Sequence, residues 1–182
     1  MFETYLKLGF DHILDPNAYD HILFVVSFSL LASLSSWKKL FWLVTAFTIG
    51  HSMTLAMSVL DVIKIPSNIV EFLIPITIIL SCADNIFQAN KDLSFSPRYI
   101  LILIFGFIHG MGFSNFFKAI LGKEESILVH LFSFNIGVEL AQLCIVFLSV
   151  LIIQLLKKII SETYLIVASS VIIGLVALSL LF

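Results

Sequence analysis

Charge is the scarcest commodity in this chain of 182 residues. Only 12% of its residues are Asp, Glu, Lys or Arg, against about 25% in an ordinary soluble domain. The net charge of -2 is uninformative about nucleic acid, but no basic patch is large enough to hold a phosphate backbone, so no nucleic-acid partner is expected. The two cysteines, Cys82 and Cys144, are distant and form no C-x-x-C pair, so they read as packing residues and indicate no redox compartment. No glycine-rich phosphate loop is present, which excludes an ATP-driven motor of that type. The opening MFETYLKLGFDHILDPNAYDH lacks the basic start and unbroken apolar core of a cleavable signal, so the N-terminus is expected to be retained. Internal repeats, low-complexity segments and long loops are also missing. The chain therefore reads as one domain, residues 1–182.

What the chain has instead is apolar length. Hydrophobic residues make up 60% of it, and its mean hydropathy is +1.11. A spanning helix needs roughly 20 apolar residues. Six stretches qualify, at about 19–36, 39–60, 66–89, 97–118, 127–156 and 163–181. The expected fold is all-α, a polytopic bundle of six transmembrane helices in a lipid bilayer. Pro66 and Pro97 suit helix starts. Pro75, inside the third stretch, should kink it or free a carbonyl. Lys38, Lys39, Lys91, Arg98, Lys157 and Lys158 gather on one side, and Lys7, Lys64, Lys118 and Lys123 on the other. The positive-inside rule puts the larger set in the cytoplasm and both termini outside it, with Glu124 and Glu125 counting little.

Against that background the polar residues stand out. An ionisable group at membrane depth is costly unless paired, and marks function by default. The set is His21, His51, Glu71, Asp84, His109, His130 and Glu139, with Asn85, Asn135 and Gln142 as neutral company. Imidazole with carboxylate and carboxamide suits a divalent transition metal (nickel, cobalt or zinc) or proton transfer. Asn135, Glu139 and Gln142 fall at i, i+4 and i+7, on one helix face. Thr48, His51 and Ser52 cluster in FTIGHSMTLA. In GFIHGMG, the pair Gly106 and Gly110 lets a neighbouring backbone come close to His109. The N-terminal DHILDPNAYDH adds Asp11, His12, Asp15, Asp20 and His21, which would concentrate cations at an outer mouth. Asp84 and Asn85 lie toward the inner end of the third stretch, as a second station on a path or as a pair that ties helices together.

The ordered motifs DHILF (from Asp20), FTIGHSMTL, VEFLIPITIILSCADNIF, FGFIHGMGF and FSFNIGVELAQL run over about residues 9–145. Together they resemble the HupE/UreJ family of membrane proteins. The resemblance implies a multi-pass protein of the bacterial inner membrane, associated with nickel or cobalt uptake and often with hydrogenase or urease maturation. It places Asp20, His21, Glu71, His51, Asn85, His109, Asn135 and Glu139 on motif positions. Seven residues separate His12 from Asp20 here, more than the family's usual spacing, and the glycine usual in between is missing. His12 therefore stays outside the carried-over set.

Two mechanisms fit these residues. In the first, a permease, Asp20 and His21 receive a metal ion that passes to His51, His109 and Glu139. Glu71, Asp84, Asn85, His130 and Asn135 give support, and a gradient or a partner supplies the energy. A homo-oligomer or a metallochaperone partner is compatible with this. In the second, an intramembrane zinc hydrolase, the histidines hold zinc, Glu139 or Asp20 acts as base, and Ser52 binds the oxyanion.

Overall fold

The computed structural model describes residues 1–89, 96–121 and 127–182. Lys91, Lys123, Glu124 and Glu125, used above to orient the chain, lie outside the described residues. The described chain is all-helical, with eight helices in the order α1 Phe2–Ile13, α2 Asp20–Ser29, α3 Trp37–Val59, α4 Ser67–Gln88, α5 Ser96–Gly112, α6 Ser114–Leu121, α7 Ile127–Leu156 and α8 Glu162–Ser179. A single 3-10 turn, Leu34–Ser36, leads into α3.

The expected count of six spans resolves differently. Four helices, α3, α4, α7 and α8, are long and apolar enough to cross a membrane. A fifth crossing results if α5 and α6 count as one span bent by 49°. The first expected span is only the 10-residue α2 followed by irregular chain. At 1.5 Å per residue it reaches about 15 Å, half the hydrocarbon thickness. Its end is held by hydroxyls: Ser27 Oγ donates to the Phe24 carbonyl and Ser29 Oγ to that of Val25, each at 2.7 Å. The helix α1, which span-length reasoning passed over, is amphipathic. Tyr5, Gly9 and Ile13 are buried at i, i+4 and i+8, while Glu3, Lys7 and Asp11 face outward.

Pro66 caps α4 from outside, and Pro75 sits within that helix. Proline has no N–H for the carbonyl of Glu71, four residues back. Nearby, Thr77 Oγ1 donates to the Ile74 carbonyl at 2.7 Å.

Two close helix crossings position everything that follows. Where α3 meets α5, a methyl group added at Gly50 would strike the Leu103 carbonyl. One at Gly106 would strike the Phe47 carbonyl, and one at Gly110 the His51 carbonyl and the Thr54 hydroxyl. Where α1 meets α7, Gly9 lies against the Phe134 carbonyl and Gly137 against that of Leu6. In lipid, helices associate through such close packing because there is little hydrophobic gain from contact between apolar surfaces. Around both crossings Phe24, Leu43, Phe47, Leu55, Phe134 and Val138 are fully buried.

Gly110→Val should push α5 off α3 and cost about 1–3 kcal/mol, as overpacking does. The expected outcome is a lower thermal unfolding midpoint in detergent; an unchanged midpoint would mean that the crossing can slide without loss.

Candidate metal centre

The two glycine crossings deliver histidines to one point. His51 follows Gly50, His109 precedes Gly110, and His12 lies one turn beyond Gly9. His21, in the first turn of α2, completes the set. Ring centroids lie 4.6 Å apart for His12 and His21, 5.1 Å for His21 and His109, and 6.4 Å for His21 and His51. Two groups have ligand atoms all within 4.8 Å of one another: His12 with His21 and His51, and Asp20 with His21 and His109. His21 belongs to both.

Each ring has a nitrogen to spare. Asp20 Oδ1 lies 3.1 Å from His21 Nδ1, and His21 Nε2 has no partner. Thr77 Oγ1 lies 3.2 Å from His109 Nε2, and His109 Nδ1 has none. His12 Nε2 and both nitrogens of His51 are also buried without a hydrogen bond. Asn135 Oδ1 is likewise buried without a hydrogen bond, while its Nδ2 donates to the Leu131 carbonyl at 2.8 Å. Buried polar atoms normally find partners, and unpartnered ones call for an explanation. A partner that fixes one imidazole nitrogen while the other is left free is how a protein prepares a metal ligand. His12 lies outside the candidate spans. Burial first, then the nearby imidazoles of His21 and His51, pushes its pKa well below the usual value. It is therefore neutral at pH 7, the form that binds metal.

An aromatic shell surrounds the rings. Phe113 lies 3.9 Å from His12, Phe24 and Phe47 each 5.3 Å from His109, and Phe134 6.3 Å from His51, by ring centroids. Such walls hold water out and lower the local dielectric constant. Two openings flank the α1–α2 connection, and each touches one residue of the ligand groups. One, of about 610 Å³, is lined by Asp11, His12, Asp15 and Phe113. The other, of about 290 Å³, is lined by Asp20, Glu71 and Pro75.

The remaining candidate residues lie elsewhere. Glu139 belongs to neither ligand group: it accepts a 2.7 Å bond from Thr45 Oγ1 and lines a cleft of about 430 Å³ between α3 and α7, with Ser52 and Asn135. Ser52 Oγ donates to the Thr48 carbonyl at 2.6 Å, and Gln142 accepts from Thr48 Oγ1 at 3.1 Å. His130 is buried beside Tyr5, ring centroids 4.2 Å apart. Asp84 and Asn85 bind Arg98 instead of joining the histidines. Sequence reasoning placed His12 at the outer mouth without making it a ligand, and missed Thr77. His12 had its signal in the paired Asp-His motif, but only the α1–α7 crossing brings it in. Thr77 carried no signal beyond its place on the buried face of α4.

The family model described as HupE / UreJ protein matches residues 1–182, the whole chain. The chain belongs to the HupE/UreJ family. With its apolar helices, this makes it a multi-pass membrane protein, consistent with a role associated with nickel or cobalt transport. No curated protein and no solved structure matches it.

His21→Ala should lower cobalt affinity of the purified protein more than any other single ligand change, because both groups lose a member. His12→Ala should weaken it about 10–100-fold, measured by calorimetric titration. Wild-type affinity in both variants would remove the cluster from consideration.

Proposed function

We propose that this HupE/UreJ protein is a permease for a divalent transition-metal cation, nickel or cobalt, in the bacterial cytoplasmic membrane. The single observation that carries this reading is the convergence of three buried imidazoles and the part-buried His12, each with a ring nitrogen free of any hydrogen bond, beside two openings that are lined by acidic residues and touch His12 and Asp20.

The steps follow from the residues. Asp11 and Asp15 at one opening, and Glu71 at the other, attract a hydrated cation electrostatically. Imidazole nitrogen then replaces water, which favours late first-row ions over magnesium or calcium. His21, oriented by Asp20, passes the ion from the His12–His51 group to the Asp20–His109 group. Release continues toward Asp84 and Asn85. Glu139, in its own cleft with Thr45, suits a proton carrier better than a metal ligand, since a carboxylate at membrane depth exchanges its charge more cheaply than it keeps it. Exchange of the ion for protons would make the gradient the energy source.

One feature favours a second reading. Three imidazoles with a carboxylate fixing one of them is also the ligand set of a catalytic zinc site, where a fourth position holds an activated water. An intramembrane zinc hydrolase would use Asp20 as its base. Ser52, bonded to its own helix and facing the α3–α7 cleft, offers this reading little.

Metal content of the purified protein, wild type against the His51→Ala, His109→Ala double variant, separates the two. Weak, exchangeable cobalt or nickel binding that the double variant loses is the expected result; near-stoichiometric zinc that survives a chelator would move the assignment to the hydrolase. Glu139→Gln is expected to retain cobalt binding while losing cobalt uptake in liposomes, whereas His109→Ala loses both. Uptake at the wild-type rate in both variants would sink the permease reading.

A further inference from the structure

A buried polar stripe leaves the histidines along α4. Thr77, Ser81 and Asn85 lie at i, i+4 and i+8, on one face, and all are buried. Thr77 touches His109. One turn further on, Ser81 Oγ lies 2.8 Å from Ser27 Oγ of α2. One turn beyond that, Asn85 Nδ2 donates to the Ser27 carbonyl at 2.7 Å. The stripe ends on a cation. Arg98, in the first turn of α5, donates from Nη2 to Asn85 Oδ1 at 2.6 Å and from Nε to Asp84 Oδ2 at 2.8 Å. Its Nη2 also lies 2.6 Å from Asp84 Oδ2. Gln88 Nε2 donates to the other oxygen of Asp84. The Arg98 side chain is 4% exposed and that of Asp84 30%, so the guanidinium is sealed inside while its carboxylate partner reaches toward the surface.

Sequence reasoning counted Arg98 among the loop cations, and its burial needs a reason. A tie between α2, α4 and α5 does not require charge. Hydroxyls and amides already supply one here, and a buried ion pair is weak support for stability because both ions lose their water. A positive charge at the end of a polar stripe does something that a neutral tie does not: it bars cations. Its partner is the group that an arriving cation would bind. Asp84 can exchange the guanidinium for the ion, and the exchange opens the stripe toward the surface.

We infer that Arg98, held by Asp84 and Asn85, is the closed cytoplasmic gate of the route that leads from the histidine centre along Thr77, Ser81 and Asn85. The assignment rests on the permease reading for the direction of flow, while the closure itself can be tested separately.

The reporter is a single cysteine in the middle of the stripe: Ser81→Cys with Cys82→Ala and Cys144→Ala. The protein is placed in lipid nanodiscs, with both faces exposed, and treated with a membrane-impermeant maleimide. With Arg98 and Asp84 in place the reporter should be protected. Arg98→Gln should raise its labelling rate about tenfold or more, since removing one partner of a buried pair is worth more than the 1.4 kcal/mol that tenfold represents. Asp84→Asn keeps both the arginine and an acceptor oxygen, and should raise the rate less. Each variant is compared by elution volume and thermal midpoint. If Arg98→Gln does not fold, Asp84→Asn decides alone. Continued protection of the reporter in folded variants overturns the gate. Cobalt flux into liposomes keeps the two readings apart. Raised labelling without flux in any protein supports the gate and counts against the permease, while flux through the unsubstituted protein with labelling unchanged counts against the gate alone.

Discussion

The contact of α3 with α5, backbone against backbone, is the constraint on which the rest depends. Gly50, Gly106 and Gly110 have no side chain to hold the helices apart. Side chains one residue away from a closest approach must then share the space beside it, and those residues are His51 and His109. The α1–α7 crossing repeats the device with Gly9 and Gly137 and brings His12 to the same place. A bilayer offers no water to satisfy an imidazole. Once the crossings are fixed, the rings have to find each other, a partner such as Asp20 or Thr77, or an ion.

The ends of the long spans were legible because twenty apolar residues in succession have few alternatives. The fifth stretch, 127–156, coincides with α7, and the sixth lies within two residues of α8. The first was misjudged because hydropathy counts composition and not backbone geometry. Residues 19–36 are apolar enough, yet the helix stops at Ser29, where Ser27 and Ser29 turn their hydroxyls on carbonyls of their own helix. The helix α1 escaped notice for the opposite reason: its pattern is amphipathic and shorter than a span.

For the site, residue type was informative and depth was not sufficient. His21, His51 and His109 were picked out by chemistry, and the structure brings their rings together. Glu139 is deep as well, but it leaves α7 toward the α3–α7 cleft, and no one-dimensional argument fixes that direction. His12 had been set aside on spacing. Spacing along the chain does not measure distance when the intervening residues loop back, as LDPNAY does between α1 and α2. Arg98 shows the same lesson for charge: a lysine or arginine near the end of a span reads as solvated until the neighbouring helices are in place.

The sharing of His21 has a consequence for stoichiometry. With Nδ1 engaged by Asp20, a single nitrogen of that ring is left for both ligand groups. Two ions cannot hold it at once. On the permease reading, the two positions are alternatives for one passenger and not neighbouring berths, so repulsion between adjacent ions, which speeds throughput in multi-ion channels, would have no place here. Throughput would be set by how fast one ion changes ligands, and it would level off at one ion in transit per chain.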